Sequence, residues 1–506
     1  MKVVILSLEN TLVCFGARMI AAALREHGDD VSILFAPKEF DQPDSDDEID
    51  RIARWIAEQA PDLIAVSLMT SHMNRIKPIH RAIREAVRAP VIWGGIHPTL
   101  CPEACIEFAD YVCVGEGERL MIDLVEALSG GGDPSRIPGL WLRRGGEVVA
   151  NPARTRCDDL GDLPFADHDD RTHAILFDGR IQPISPAIWR SFIPGFMDTQ
   201  YVMSTRGCPH NCTYCCNSAL RTVAEGPYLR RRPPGHFVAE MEALKARFPD
   251  IKAFVFMDDS FFYGDRAWFE AFCGLYKSRI DLPFFCWANP VGVTEERIEL
   301  LADAGLVGVH VGLESGSVRI SEDVYRRNVP IDRFYRCMDI LHRYRSKIVD
   351  IRVDVITDNP YETEEDVAET IRVLSRLKKP FFVGIVSLIF FPRTELEKRA
   401  IADGLIAHAD PDLYRREFFC YKPTYLNRVM RSIPMTPGWM VRFFANNRHM
   451  MPVRWLFYAY YFGYFVGVRR RLRALRRIVQ LGIYNRFGSR LDPRSVVVNR
   501  VALIDF

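Results

Sequence analysis

The 506-residue sequence lacks a surplus of either charge: 66 lysines and arginines stand against 65 aspartates and glutamates. That balance excludes a chain-wide field steering the protein toward nucleic acid, so any basic surface is local. The opening MKVVILSLEN lacks the long apolar segment and small-residue cleavage site of a secretory leader. Cysteine is sparse and odd in number, thirteen in all, which argues against a disulfide framework. The aromatic run WLFYAYYFGYFVGV (455–468) has only fourteen uncharged residues, short of the roughly 20 that a bilayer-spanning helix needs. These absences predict a cytoplasmic chain with reduced thiols. With 48% hydrophobic and 26% charged residues, the composition is that of a globular protein, and the length predicts two or three domains.

Strand-like and helix-like segments alternate over the first 130 residues. The strands read as VVILSL (3–8), VSILF (31–35), LIAVSL (63–68), VIW (91–93) and YVCV (111–114), with helices over 17–27, 51–59, 76–87 and after Glu118. Near-continuous apolar strands with helical crossovers predict an open, doubly wound, Rossmann-like α/β domain over 1–135. Ligands of such domains lie beyond the carboxyl ends of the strands. Those ends carry Leu8-Glu9-Asn10, Ser67-Leu68-Met69-Thr70, Gly94-Gly95-Ile96-His97 and Gly115-Glu116-Gly117-Glu118. From 136 to 198 the pattern weakens to a hairpin turning at Gly145-Gly146 and an irregular connection.

A second α/β run occupies 199–400, with strands at 251–259, 282–289, 308–314, 349–358 and 381–390 and one before Cys208. Six β/α units predict a partial barrel rather than a closed one. The residues from 401 to 506 read as a mostly helical region, in which the aromatic run is followed by six arginines between 469 and 477. Packing of that helix on the barrel and contact with a membrane surface or greasy substrate both explain it.

Four of the thirteen cysteines fall in TRGCPHNCTYCC (205–216), where Cys208, Cys212 and Cys215 are spaced C-x3-C-x2-C. Thiolates suit iron–sulfur clusters or zinc, and neighbouring chain positions lower the entropy of gathering them. Structural zinc takes four protein ligands, whereas a cubane cluster on three thiolates leaves one iron open to a small molecule. Adjacent residues on extended backbone point oppositely, so Cys216 is expected to pack beside the cluster rather than bind it. His210 is read as facing solvent or flanking the ligands.

Cys208, Cys212 and Cys215, with aromatic Tyr214 before the third, resemble the signature of the radical S-adenosylmethionine (SAM) enzymes. The resemblance implies a 4Fe-4S cluster on the three cysteines, chelated at its open iron by SAM, with Tyr214 at the cofactor site. VGLESG (311–316) resembles the strand whose glutamate approaches SAM, which gives that role to Glu314. MDDSFF (257–262) resembles an acidic strand end and makes Asp258 and Asp259 candidate catalytic residues. DNPYET (358–363) resembles a glycine-containing segment with Asn359 and Tyr361 in place of the glycines, and FPRTEL (391–396) has Arg393 where the related pattern has glycine.

An α/β domain ahead of such a barrel resembles the cobalamin-dependent class of the superfamily, with GGIHPT (94–99) and VGEGE (114–118) common to it. The resemblance implies that Ser67, Leu68, Gly94 and Gly95 hold cobalamin. Many cobalamin domains carry D-x-H-x-x-G; aligned on Gly16, the aspartate and histidine positions here are Thr11 and Val13. Either the expected cobalt has no protein imidazole below it or cobalamin is not bound, and no axial role falls on His97. The implied chemistry is a 5′-deoxyadenosyl radical that abstracts hydrogen from an unactivated carbon, followed by methylation from cobalamin. The expected acceptor is a hydrophobic small molecule. Implied partners are a reducing protein such as flavodoxin or ferredoxin and a peripheral membrane contact, with no nucleic acid. The alternatives are a cyclase or oxidoreductase acting on a tetrapyrrole or lipid without methylation, and a noncatalytic iron–sulfur protein.

Overall fold

The apolar runs of the N-terminal region become the parallel centre of a nine-stranded sheet in the computed structural model, which describes residues 1–38, 42–192, 198–407 and 421–462. The strands are β1 (Lys2–Ser7), β2 (Asp30–Phe35), β3 (Leu63–Ser67), β4 (Val91–Gly94), β5 (Tyr111–Cys113), β6 (Leu140–Arg144), β7 (Glu147–Ala150), β8 (Ala174–Phe177) and β9 (Arg180–Pro183). Their spatial order is β7-β6-β5-β4-β3-β1-β2-β8-β9. The run from β5 to β8 is parallel, and β6, β7 and β9 pair antiparallel. After β2 the chain crosses to the other side of β1, so the topological switch lies between β1 and β3. Local signals set the crossovers. The helix Phe15–His27 stops at Gly28, whose φ of 104° no ordinary side chain favours, and Asp46–Glu58 starts at a capping box of Ser45 with Glu48.

The stretch 136–198, expected as a connection, contributes four strands to this sheet. Its first hairpin turns at Gly145-Gly146 as expected, with φ of 61° and 89°. Its second, β8–β9, was not anticipated. The signal was present: Asp178-Gly179 both take positive φ, 49° and 69°, the two-residue turn that matches strand twist.

Two short strands, β10 (Thr199–Val202) and β11 (Thr205–Arg206), precede the cysteines, and β12 (Arg230–Arg231) follows them. The second large sheet joins β10 to β13 (Ala253–Phe256), β14 (Phe284–Ala288), β15 (Leu306–Glu314), β16 (Asp350–Thr357) and β17 (Phe382–Ser387) in that order, all parallel. Six strands in sequence order, with helices between them, make the partial barrel. Val309, Val311, Leu313, Ile351, Val353 and Val355 alternate into a core shared with the helices, so the other residues of β15 and β16 face the opposite, concave side. An aromatic knot supports the β13 end: Phe256 stacks on Phe284 with centroids 4.6 Å apart, and Arg231 sits 4.2 Å over Trp268.

The chain divides into two compact units, one of Met1–Ile193, Tyr214–Arg230 and Ile389–Glu417, the other of Pro194–Thr213, Arg231–Leu388 and Phe418–Phe506. Helices Tyr425–Ser432 and Gly438–Asn446 follow the barrel, and Val453 and Phe457 of the next helix pack into its core. The aromatic run is thus described only to 462; its remainder and the arginines of 469–477 lie outside the described residues. Among the described residues no helix is long and apolar enough to cross a membrane.

Candidate cofactor sites

At the switch between β1 and β3, four of the expected residues meet. Ser67 and Gly94 are register partners on β3 and β4, and the Leu68 N–H donates to the Gly94 carbonyl at 2.8 Å. Gly95 has φ of 106°, and a Cβ there would lie 2.7 Å from the Leu68 carbonyl oxygen. Only glycine therefore lets this loop close against β3. His97 is buried, and its Nδ1 lies 3.2 Å from the Thr70 hydroxyl. Burial, with a smaller push from Lys77, lowers its pKa to about 4. His72, which accepts the Met69 N–H through Nδ1, falls to about 3 for the same first cause, with Arg75 adding to it. Both rings are neutral at physiological pH. Glu9, at the end of β1, is raised to about 7 by burial.

In the second unit the loop carrying Cys208 and Cys212 is fixed from three directions. Asp258, just past β13, is 2% exposed, and its Oδ1 accepts the Ser204 N–H at 3.0 Å and the Ser204 and Thr205 hydroxyls at 2.6 Å each. Ser260 donates its hydroxyl to Cys208 Sγ at 3.2 Å. Beyond Cys212, which is buried, the Thr213 N–H donates to the Tyr325 carbonyl at 3.0 Å and its hydroxyl to the Val324 carbonyl. Val324 ends a π-helical turn, Arg319–Val324, a form frequent at functional sites. The same segment sends Arg327 back to β15, where its Nη2 donates to the Gly312 carbonyl at 2.6 Å and its Nη1 lies 3.5 Å from Glu314 Oε1.

Glu314 ends β15 at a register shift against β16 and takes φ of 64°. A non-glycine residue held in that region costs of order 1–3 kcal/mol and marks an imposed geometry. Burial raises its pKa to about 7 against the lowering effect of Arg327. His210 is not a spare ligand, since its Nε2 lies 2.6 Å from the Tyr263 hydroxyl. Tyr214 is half-buried on the loop; Cys215 takes an extended conformation and caps the short helix Cys216–Leu220, with the Asn217 amide donating to its Sγ at 3.7 Å. Among the described residues, no three His, Cys, Asp or Glu side chains converge as they would on a single metal ion.

Two family models match the chain in succession: the B12 binding domain over residues 1–125 and the Radical SAM superfamily over 202–374. The chain carries a B12-binding domain followed by a radical SAM domain. Among its relatives, an uncharacterized methyltransferase of Pyrococcus horikoshii is 25% identical over 361 residues, covering 70% of this chain and 72% of that one. The cytidylyl-2-hydroxyethylphosphonate methyltransferase of Streptomyces wedmorensis is 27% identical over 63% of this chain and 64% of its own length. The radical SAM methyltransferase TsrM of Kitasatospora setae, solved with tryptophan and a SAM analogue, shares the fold at a TM-score of 0.62 and 19% identity, over 79% of this chain and 76% of that one.

The residues suit the cofactors of a B12-binding radical SAM protein. A cubane cluster asks each thiolate to reach its own iron, and Cys208, Cys212 and Cys215 place three thiols within eight residues of chain. For cobalamin, the Gly94-Gly95 turn closes against Leu68 at the carboxyl ends of β3 and β4, and Val13 offers no imidazole.

Other expectations change in detail. Of the two candidate catalytic aspartates, both just past β13, Asp258 is buried and Asp259 exposed; Asp258 is occupied in positioning the loop. The left-handed residue of the 358–363 segment is Asp358, with φ of 60°, rather than Asn359 or Tyr361. Its carboxylate is held by Ser387, Asn427 and the Lys422 N–H. Arg393, where the related pattern has glycine, takes a left-handed φ of 61°. Ser260, Thr213 and Arg327 were not foreseen. Ser260 directly follows the acidic pair, but Arg327 has no local signal because its role depends on a turn that returns it to β15.

Proposed function

We propose that this protein is a cobalamin-dependent radical SAM methyltransferase acting on an unactivated carbon of a small molecule. The observation that carries the reading is the C-x3-C-x2-C loop of Cys208, Cys212 and Cys215, tied through Thr213 to the segment whose Arg327 holds Glu314. Bound together, a reduced 4Fe-4S cluster, SAM and cobalamin supply hydrogen-atom abstraction and methyl transfer. In this reading the three cysteines hold the cluster and leave one iron to SAM. Ser260 donates to the first of them, Glu314 faces SAM, and Tyr214 flanks the cofactor. Asp258 keeps the loop entrance fixed. Ser67, Leu68, Gly94 and Gly95 cradle cobalamin. An external one-electron donor of the flavodoxin or ferredoxin type completes the cycle.

Anaerobic reconstitution with iron, sulfide and cobalamin, followed by reduction with SAM and an extract of the source cell, tests the proposal. SAM cleavage and a product heavier by one CH₂ are expected, with iron content at background in Cys208→Ala, Cys212→Ala or Cys215→Ala. A verified, reducible cluster that leaves SAM intact overturns it, and a product lighter by two hydrogens favours ring formation or oxidation instead. Peripheral contact with the cytoplasmic face of a membrane is a separate proposal, supported by the exposed Trp439, Met450, Met451 and Trp455. Flotation with anionic phospholipid vesicles, lost in a Trp439→Ser, Trp455→Ser double variant, is expected; a parent chain that stays at the bottom of the gradient removes it.

A further inference from the structure

The concave face of the second sheet carries charge where a barrel interior would otherwise be filled by aliphatic side chains. Trp287 on β14, His310 on β15 and Arg352 on β16 are register neighbours in one row. Asp354 stands in the next row, between Gly312 and Gly384. The Trp287 and His310 rings lie 4.9 Å apart. Arg352 gives its Nε–H to Asp354 Oδ1 at 2.9 Å, and His310 Nδ1 lies 3.8 Å from Asp354 Oδ2. Arg352 has no further hydrogen bond among the described residues, so both Nη atoms, the outer edge of the fork, are unoccupied.

Space for this arrangement is built in. A Cβ at Gly384 would overlap both Asp354 Oδ1 and the Arg352 guanidinium, and one at Gly312 would overlap Glu314 and meet Arg327. Asp354 and Gly312 share a row two residues below Glu314 on β15, a rise of about 7 Å. A guanidinium held by its Nε edge to one carboxylate offers its other edge to a second oxyanion in bidentate geometry. Burial lowers the pKa of His310, so the imidazole adds no competing cation near neutrality.

We propose that Arg352, oriented by Asp354 and given room by Gly384, anchors an oxyanion of the substrate, a carboxylate, phosphonate or phosphate, with Trp287 and His310 walling its planar or apolar body. The assignment of that ligand as substrate rests on the methyltransferase reading, but the site itself is measurable without turnover. The probe is phenylphosphonate, with benzyl alcohol as its neutral counterpart, titrated calorimetrically into the full chain carrying its cluster. Saturable phenylphosphonate binding is expected, weakened roughly tenfold to hundredfold in Arg352→Met, with Arg352→Lys intermediate because it keeps the charge but loses the fork. Gly384→Ala, which displaces the guanidinium while keeping it, is expected to weaken binding too, and it serves if Arg352→Met fails to hold iron. Undiminished binding in Arg352→Met and Gly384→Ala, or benzyl alcohol binding as tightly as phenylphosphonate, overturns the proposal. Displacement of phenylphosphonate by saturating SAM also overturns it, by assigning Arg352 to the carboxylate of SAM. A chain that binds the probe as expected but never cleaves SAM keeps the anion site and loses the methyltransferase.

Discussion

A single hydroxyl, that of Ser260, meets Cys208, the first of the three cysteines proposed to hold the cluster. Hydrogen bonds to cluster sulfurs stabilise the reduced, more negative state. Ser260→Ala is therefore expected to move the cluster potential more negative by roughly 20–60 mV, the electrical equivalent of one hydrogen bond, read by potentiometric titration followed by electron paramagnetic resonance. Glu314 offers a test in the metal-free chain. Its folded pKa of about 7 lies above the ordinary carboxylate value because of burial, so the folded state holds a proton that the unfolded state has released. Stability contributed at this position is then full below about pH 4.5 and is lost as pH rises through 7. The stability of Glu314→Gln relative to the parent should grow from pH 5 to pH 8, to about 1–3 kcal/mol, measured by urea denaturation at each pH. An advantage that shrinks toward pH 8 contradicts the buried carboxylate.

At the scale of elements, loops at strand ends carry the site and the strands fix their spacing. Gly95 shows the constraint most plainly: a Cβ there meets the Leu68 carbonyl oxygen in a backbone conformation that favours glycine. Gly95→Ala is expected to cost about 1–3 kcal/mol and to weaken cobalamin retention in gel filtration, while iron uptake by the cysteine loop is unchanged. The core strands were legible because each is an apolar run bounded by turn residues. The second hairpin was missed although Asp178-Gly179 marks it, because its strands are only four residues each. The π-helical turn Arg319–Val324 leaves no periodic trace in so short a segment.

For the whole molecule, the two units have separate cores. Calorimetry of the metal-free chain should resolve two transitions. Hydroxocobalamin is expected to stabilise the transition of the unit holding β1–β9, by about 2.7 kcal/mol at a hundredfold excess over Kd. One transition moved as a whole would make the units a single cooperative block.

The sequence by itself determined the order of the two α/β regions, the C-x3-C-x2-C spacing of Cys208, Cys212 and Cys215 and the lack of an imidazole at Val13, since spacing and apolar periodicity are local properties that no packing rearranges. Only the tertiary structure decided that Asp258 holds Ser204 and Thr205, that Arg327 reaches Glu314 and that Arg352 keeps an open edge beside Gly384. The first two depend on loops that bring distant segments back to strand ends, and the third on strand register, where a displacement of one residue would turn Arg352 to the other side of the sheet.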